Sequence, residues 1–159
     1  NNIGVALRLG AANTFVLVLT SVCVTMLNAW VLDAAPYLRI IAFIVVIASL
    51  VQIVEMTIKK FSPVLFRELG IYLPLITTNC AILGLALFQT SRHYNLVESL
   101  VFAIGAGLGL TLALSLMASI RERIEVADVP VVARRMGLVL VAASCLSLAF
   151  MGFAGMGSQ

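Results

Sequence analysis

The chain has 159 residues, of which 62% are hydrophobic and only 11% charged. A water-soluble domain carries about 25% charged residues, so this composition excludes an ordinary soluble fold and leaves lipid as the solvent that suits the apolar surface. The formal net charge of +3 is poor evidence for a nucleic-acid partner, and none is expected. In a membrane chain the basic residues mostly report topology.

A helix needs roughly 20 apolar residues to cross the hydrocarbon core. Five segments qualify, at about residues 9–32, 37–58, 65–89, 96–120 and 131–154. They are read as a single transmembrane domain covering residues 1–159. The expected fold class is an all-α polytopic membrane helix bundle.

The connections are short and unequal in charge. Arg8, Lys59, Lys60, Arg67, Arg121, Arg123, Arg134 and Arg135 fall on one side, and Arg39 and Arg92 on the other. This positive-inside bias places the start of the chain in the cytoplasm and Gln159 outside.

An offset of 95 residues aligns much of the chain with itself. Gly10 and Ala11 fall on Gly105 and Ala106, Asp33 on Asp128, Arg39 on Arg134, and Ser49 on Ser144. Spans one and two therefore resemble spans four and five. With the alternating topology the repeat is inverted, an arrangement typical of carriers. Span three lacks a mate, which is expected before Asn1, so five of six spans are read as present.

Span three is broken. It contains Pro63, Gly70, Pro74 and Gly84, and the polar run Thr77, Thr78 and Asn79 just before Cys80. Proline removes a helix hydrogen bond, and unwound backbone survives at depth only if buried in protein or lining a cavity. From this segment alone, a kink satisfied by threonine hydroxyls with a packing cysteine stands beside a cofactor role. Cys23, Cys80 and Cys145 are far apart and form no disulfide framework or zinc motif.

The run from Leu69 to Gly84, LGIYLPLITTNCAILG, resembles the signature of the RnfA/NqrE family of ion-translocating redox complexes. Further matches are Glu55-Met56, Ser62 to Leu65, Ile120 to Arg123, Ala127 to Pro130 and Ser147 to Phe153. The resemblance implies a six-helix subunit with inverted halves, each carrying one cysteine in a broken helix. It implies a [2Fe–2S] cluster within the membrane, shared with a homologous subunit, RnfE. On that reading Cys80 is a metal ligand, and Asn79, Thr78 and Thr77 tune the cluster through hydrogen bonds. The first-half cysteine is expected in the span before Asn1.

The resemblance further implies ferredoxin:NAD oxidoreduction coupled to Na⁺ or H⁺ movement in the bacterial inner membrane. Flavin and NAD sites then lie on other subunits (RnfB, RnfC, RnfD, RnfG), because no nucleotide loop, Ser/His/Asp set or clustered metal ligands occur here. The short link from Asp33 to Pro36 leans toward the Rnf branch over an NqrE-like role in a quinone-reducing sodium pump. A non-redox inverted-repeat transporter and a passive scaffold are the alternatives of a different class.

Other residues are read as structural. Cys23 and Cys145 are expected to pack, Glu55 to pair with Lys59 or snorkel, with an ion-path carboxylate as the alternative, and Gly105 with Gly109 to allow close helix packing at a subunit or repeat interface. His93 is expected in a solvated outer loop. The charges from Arg121 to Asp128 are expected to be solvated, with docking of a soluble partner as the lesser reading.

Overall fold

The computed structural model of the chain describes residues 2–30, 36–69, 75 and 79–157. All secondary structure among the described residues is helical. Among the described residues, and apart from the single helical residue Leu75, six α-helices follow in order: α1 Asn2–Trp30, α2 Arg39–Phe61, α3 Pro63–Leu69, α4 Cys80–Ser91, α5 Leu96–Val126 and α6 Leu138–Met156. A short 3₁₀ turn, Pro36–Leu38, leads into α2, and a π turn, Ala133–Gly137, leads into α6.

Four helices, α1, α2, α5 and α6, are long and apolar enough to cross a bilayer, while α4 is apolar but only 12 residues long. At 1.5 Å per residue α4 covers about 18 Å, roughly half of a hydrocarbon core. The third sequence segment is thus represented by α3 and α4. The expected break from Gly70 to Pro74 and at Thr77 and Thr78 lies outside the described residues.

The helix limits follow the internal repeat. Asn2–Trp30 shifted by 95 becomes 97–125, against 96–126 for α5. Arg39–Phe61 shifted by 95 ends at 156, where α6 ends.

Local chemistry explains the ends. Asn79 stands before α4 in extended geometry, and its side chain accepts a hydrogen bond from the Ala81 N–H at 3.1 Å. Asn95 opens α5, where the Glu98 carboxylate accepts the Asn95 N–H at 3.0 Å, as in a capping box. Between α2 and α3, Ser62 is pushed out of helical geometry by Pro63, which suits the first position of a new helix. His93, exposed and with φ of 53°, makes the tight turn between α4 and α5.

The chain forms two compact units, Leu9–Leu110, and Asn1–Arg8 with Thr111–Gln159. In the first, α1 is central: 44% of its spanning window is buried, against 17% for α2. Val16, Leu17 and Val24 of α1, Phe43, Ile47 and Val51 of α2, Ile82, Leu85 and Ala86 of α4, and Ala103 of α5 form its core. The α2 residues recur every four positions, so one stripe faces inward. Ile40, Ile44, Val45, Ile53 and Met56 on the rest of α2 are exposed. Such a surface would aggregate in water and is ordinary in lipid.

The contacts along α1 define directions. Asn13 meets Asn79, and Ser21 and Thr25 meet Gln89, so residue numbers rise together and α1 and α4 are parallel. Ser21 meets Ser99 and Thr14 meets Gly107, so numbers run oppositely and α1 and α5 are antiparallel. Phe88 stacks on Phe102 at 5.4 Å, Tyr94 packs on Phe102 at 5.6 Å, and the Arg92 guanidinium lies 5.2 Å from the Phe88 ring, closing the α4–α5 hairpin.

The contact between α1 and α5 uses a different stripe of small residues from the Gly105 and Gly109 pair. Gly105 and Gly109 are exposed, with open space where a Cβ would stand. The close approach is made by Ser99, Ala103 and Gly107, which are all buried. Two residues turn a helix by about 200°, so the small stripe facing α1 is the other one. Glu55 and Lys59 form no ion pair. The Lys59 ammonium lies 5.6 Å from the Phe66 ring centroid instead.

In the second unit, no residue of α6 is buried, and Cys145 is exposed rather than packed within the chain. Ser144 returns its hydroxyl to the Leu140 carbonyl at 2.9 Å, the usual way for a helix in lipid to satisfy such a group.

Candidate functional site

Helix α4 has two faces. Ile82, Leu85, Ala86 and Gln89 are buried, while Cys80, Ala81, Gly84 and Phe88 are not. The open face carries a free thiol on the first residue of the helix, followed by two small residues. Nothing lies within 4 Å of the space a Gly84 Cβ would occupy. A second protein surface can therefore come close beside Cys80.

Asn79 holds this start in place from two directions. Its Oδ1 caps the helix through Ala81, and its Nδ2 points to Asn13 Oδ1 at 3.5 Å, the long limit of a hydrogen bond. Asn13 is 4% exposed, so the tie begins inside the core. Asn79 and Cys80 are thus brought together at the helix start, whereas Thr77 and Thr78 lie outside the described residues. Asn13 is a site residue that no motif in the sequence singles out. The signal for it is a carboxamide in the middle of an apolar run.

Removing the cap tests this geometry. Asn79→Ala is expected to cost about 1 kcal/mol of helix stability. Amide exchange at Ala81 and Ile82 is expected to rise, while Asn79→Ser keeps most of the protection. Equal exchange in all three proteins would show that the cap does not hold α4.

Further along α4, Gln89 ties the helix to α1. Its Nε2 donates to the Ser21 carbonyl at 3.0 Å and to Thr25 Oγ1 at 2.8 Å. Ser21 Oγ lies 2.9 Å from Gln89 Oε1 and 3.0 Å from the Ser99 carbonyl, two acceptors for one hydroxyl proton. Thr20 Oγ1 and Ser99 Oγ are buried without a partner. No motif in the sequence signals this node.

Among the described residues, no group of three or more His, Cys, Asp or Glu side chains could hold a metal ion. Cys80 can supply one thiolate, and a [2Fe–2S] cluster takes four protein ligands. The exposed thiol fits such a cluster only as one ligand of a site shared with residues from elsewhere.

Fold and composition together define a polytopic all-helical membrane protein with a free cysteine at the start of a short helix. The profile of the family described as "Rnf-Nqr subunit, membrane protein" matches residues 1–157, and the chain belongs to that family. Among similar proteins is the A subunit of the ion-translocating oxidoreductase complex of Vibrio campbellii, 50% identical over 153 residues, covering 95% of this chain and 80% of the relative. The protein of the same name from Syntrophotalea carbinolica is 53% identical, covering 95% and 79%. That of Yersinia pestis is 50% identical with the same coverage.

Proposed function

We propose that this chain is a membrane subunit of an ion-translocating oxidoreductase complex, and that Cys80 is its ligand to an intramembrane [2Fe–2S] cluster shared with a homologous subunit. The observation that carries the reading is the exposed, uncrosslinked Cys80 at the start of α4, on a face narrow enough for a partner to approach. When bound, the cluster takes up and releases single electrons. The chain's own residues do the holding. Asn79 fixes the first turn of α4, Asn13 anchors Asn79 to the core, and the positive end of the α4 dipole favours negative charge at that turn. Thr77 and Thr78 are proposed to add hydrogen bonds to the cluster sulfurs.

The names of the relatives support the complex, and the resemblance of the Cys80 segment supports the finer assignment. On that assignment the complex exchanges electrons between ferredoxin and NAD and moves Na⁺ or H⁺ across the bacterial inner membrane. RnfE is then the cluster-sharing partner, with RnfB, RnfC, RnfD and RnfG carrying the flavin and NAD sites. The bias of basic residues to one side supports a cytoplasmic chain start.

The test is Cys80→Ala in the assembled complex, with Cys23→Ala and Cys145→Ala as controls. Cys80→Ala is expected to remove one iron–sulfur EPR signal, the iron of one cluster, and electron-driven ion uptake. The two controls are expected to keep all three. An unchanged spectrum in the Cys80 variant would sink the proposal.

A further inference from the structure

The elbow between α2 and α3 gathers three cations, Lys59, Lys60 and Arg67, and all three are exposed. Lys59 is 20 residues beyond Arg39, which opens α2. At 1.5 Å per residue the two ends are about 30 Å apart, the thickness of the hydrocarbon core. If Arg39 stands at one membrane surface, Lys59 and Lys60 stand at the headgroup level of the other.

The surroundings of the cations are apolar and bare. Phe61 is 79% exposed and Val64 72%, and Ile53 and Met56 continue the exposed surface along α2. The Ser62-Pro63 break turns the chain at the level of the charges, and Phe66 of α3 lies under the Lys59 ammonium. Two carboxylates share the region. Glu55 is half-buried one turn below Lys59 and does not pair with it, and Glu68 is exposed with a contact of its own. Among the described residues, none of the three cations pairs with Glu55.

We propose that this elbow is a binding site for an anionic phospholipid, with the phosphate on Lys59, Lys60 and Arg67 and the acyl chains along Ile53, Met56 and Phe61. A soluble acidic partner would use the same charges, but it would have no use for side chains that lie below them toward the bilayer centre. Juxtamembrane cations each favour an anionic lipid surface about fivefold.

The experiment uses the complete complex purified in mild detergent, with bound lipids quantified by mass spectrometry. Lys60→Gln combined with Arg67→Gln is expected to lower retained phosphatidylglycerol and cardiolipin roughly twenty-fold relative to phosphatidylethanolamine. Lys60→Arg with Arg67→Lys is expected to retain them. The protein make-up of the complex on a native gel is read in parallel. Unchanged anionic-lipid retention in the double Gln variant overturns the proposal. Loss of another subunit with lipid retention intact also overturns it, in favour of protein docking. Because the elbow does not include Cys80, the iron–sulfur spectrum reports on the cluster proposal separately.

Discussion

Gly107→Ala is expected to destabilise the chain by about 1–3 kcal/mol, the range for forcing a methyl group into a packed site. The Cβ would stand 2.6 Å from Thr14 Cγ2, 2.8 Å from its Oγ1 and 2.9 Å from its Cβ. Thr14 has little room to give. It is β-branched, and its hydroxyl is anchored to the Gly10 carbonyl at 2.8 Å. Between helices in lipid the association comes from close packing and hydrogen bonds, because the hydrocarbon tails are as apolar as the side chains. Pushing α5 away from α1 therefore weakens the main force that joins them. The measurement is thermal stability of the detergent-solubilised protein, with Gly105→Ala and Gly109→Ala as comparisons. Those two have open space and are expected to be near neutral. Thr14→Ala in the Gly107→Ala background is expected to recover only part of the loss, since it removes the two nearest atoms but leaves the Cβ of residue 14 at 2.9 Å. Losses that simply added would place the clash elsewhere.

The neighbouring residues Thr20 and Ser21 are expected to respond in opposite directions. Both are 0% exposed. Ser21 Oγ serves Gln89 Oε1 or the Ser99 carbonyl, so Ser21→Ala strips a donor from a buried polar node. Leaving a buried acceptor unpaired costs about 1–3 kcal/mol. Thr20 Oγ1 has no partner, so its desolvation is already uncompensated. Thr20→Val keeps the shape, removes that group, and is expected to raise stability by up to about the same amount. A loss of stability in Thr20→Val would mean that a buried water meets the hydroxyl.

The bilayer made one part of this fold legible and hid another. Long uncharged runs and clustered arginines located α1, α2, α5 and α6, because charge is costly in hydrocarbon and helices are obliged to span it. The observed ends of α1 and α5 match each other under the repeat offset to within a residue, although the segments expected at about 9–32 and 96–120 miss those ends by up to seven residues. Which face of a helix packs was not legible. In water the buried face is betrayed by polar residues opposite, but both faces of α5 are apolar or small. Gly107 makes the contact with α1, while Gly105 and Gly109 lie on the open face of α5. Even matched glycines of the repeat differ, since Gly10 is buried and Gly105 exposed.

The site divides in the same manner. Cys80 and Asn79 stood out by motif, and the cap geometry of Asn79 agrees with its place before a helix. Asn13, Ser21, Thr25, Gln89 and Ser99 did not stand out, because single polar residues in apolar runs become informative only when tertiary contacts join them. Asn13 reaches Asn79 across 66 positions, and Gln89 reaches Ser21 across 68.

The bare surface of α6 bears on how mutations in this chain are to be judged. None of its residues is fully buried, and Leu138, Val139, Ala142, Leu146 and Phe150 are half-buried. A stability screen on the isolated chain would be least sensitive at the exposed positions among residues 138–156, and polar-for-apolar changes there could pass as silent. The same changes would be felt in insertion into the bilayer and in the company the protein keeps. Tolerance measured on the chain alone is thus a record of α1 and its neighbours, while the constraints on α6 are written in the surrounding molecules.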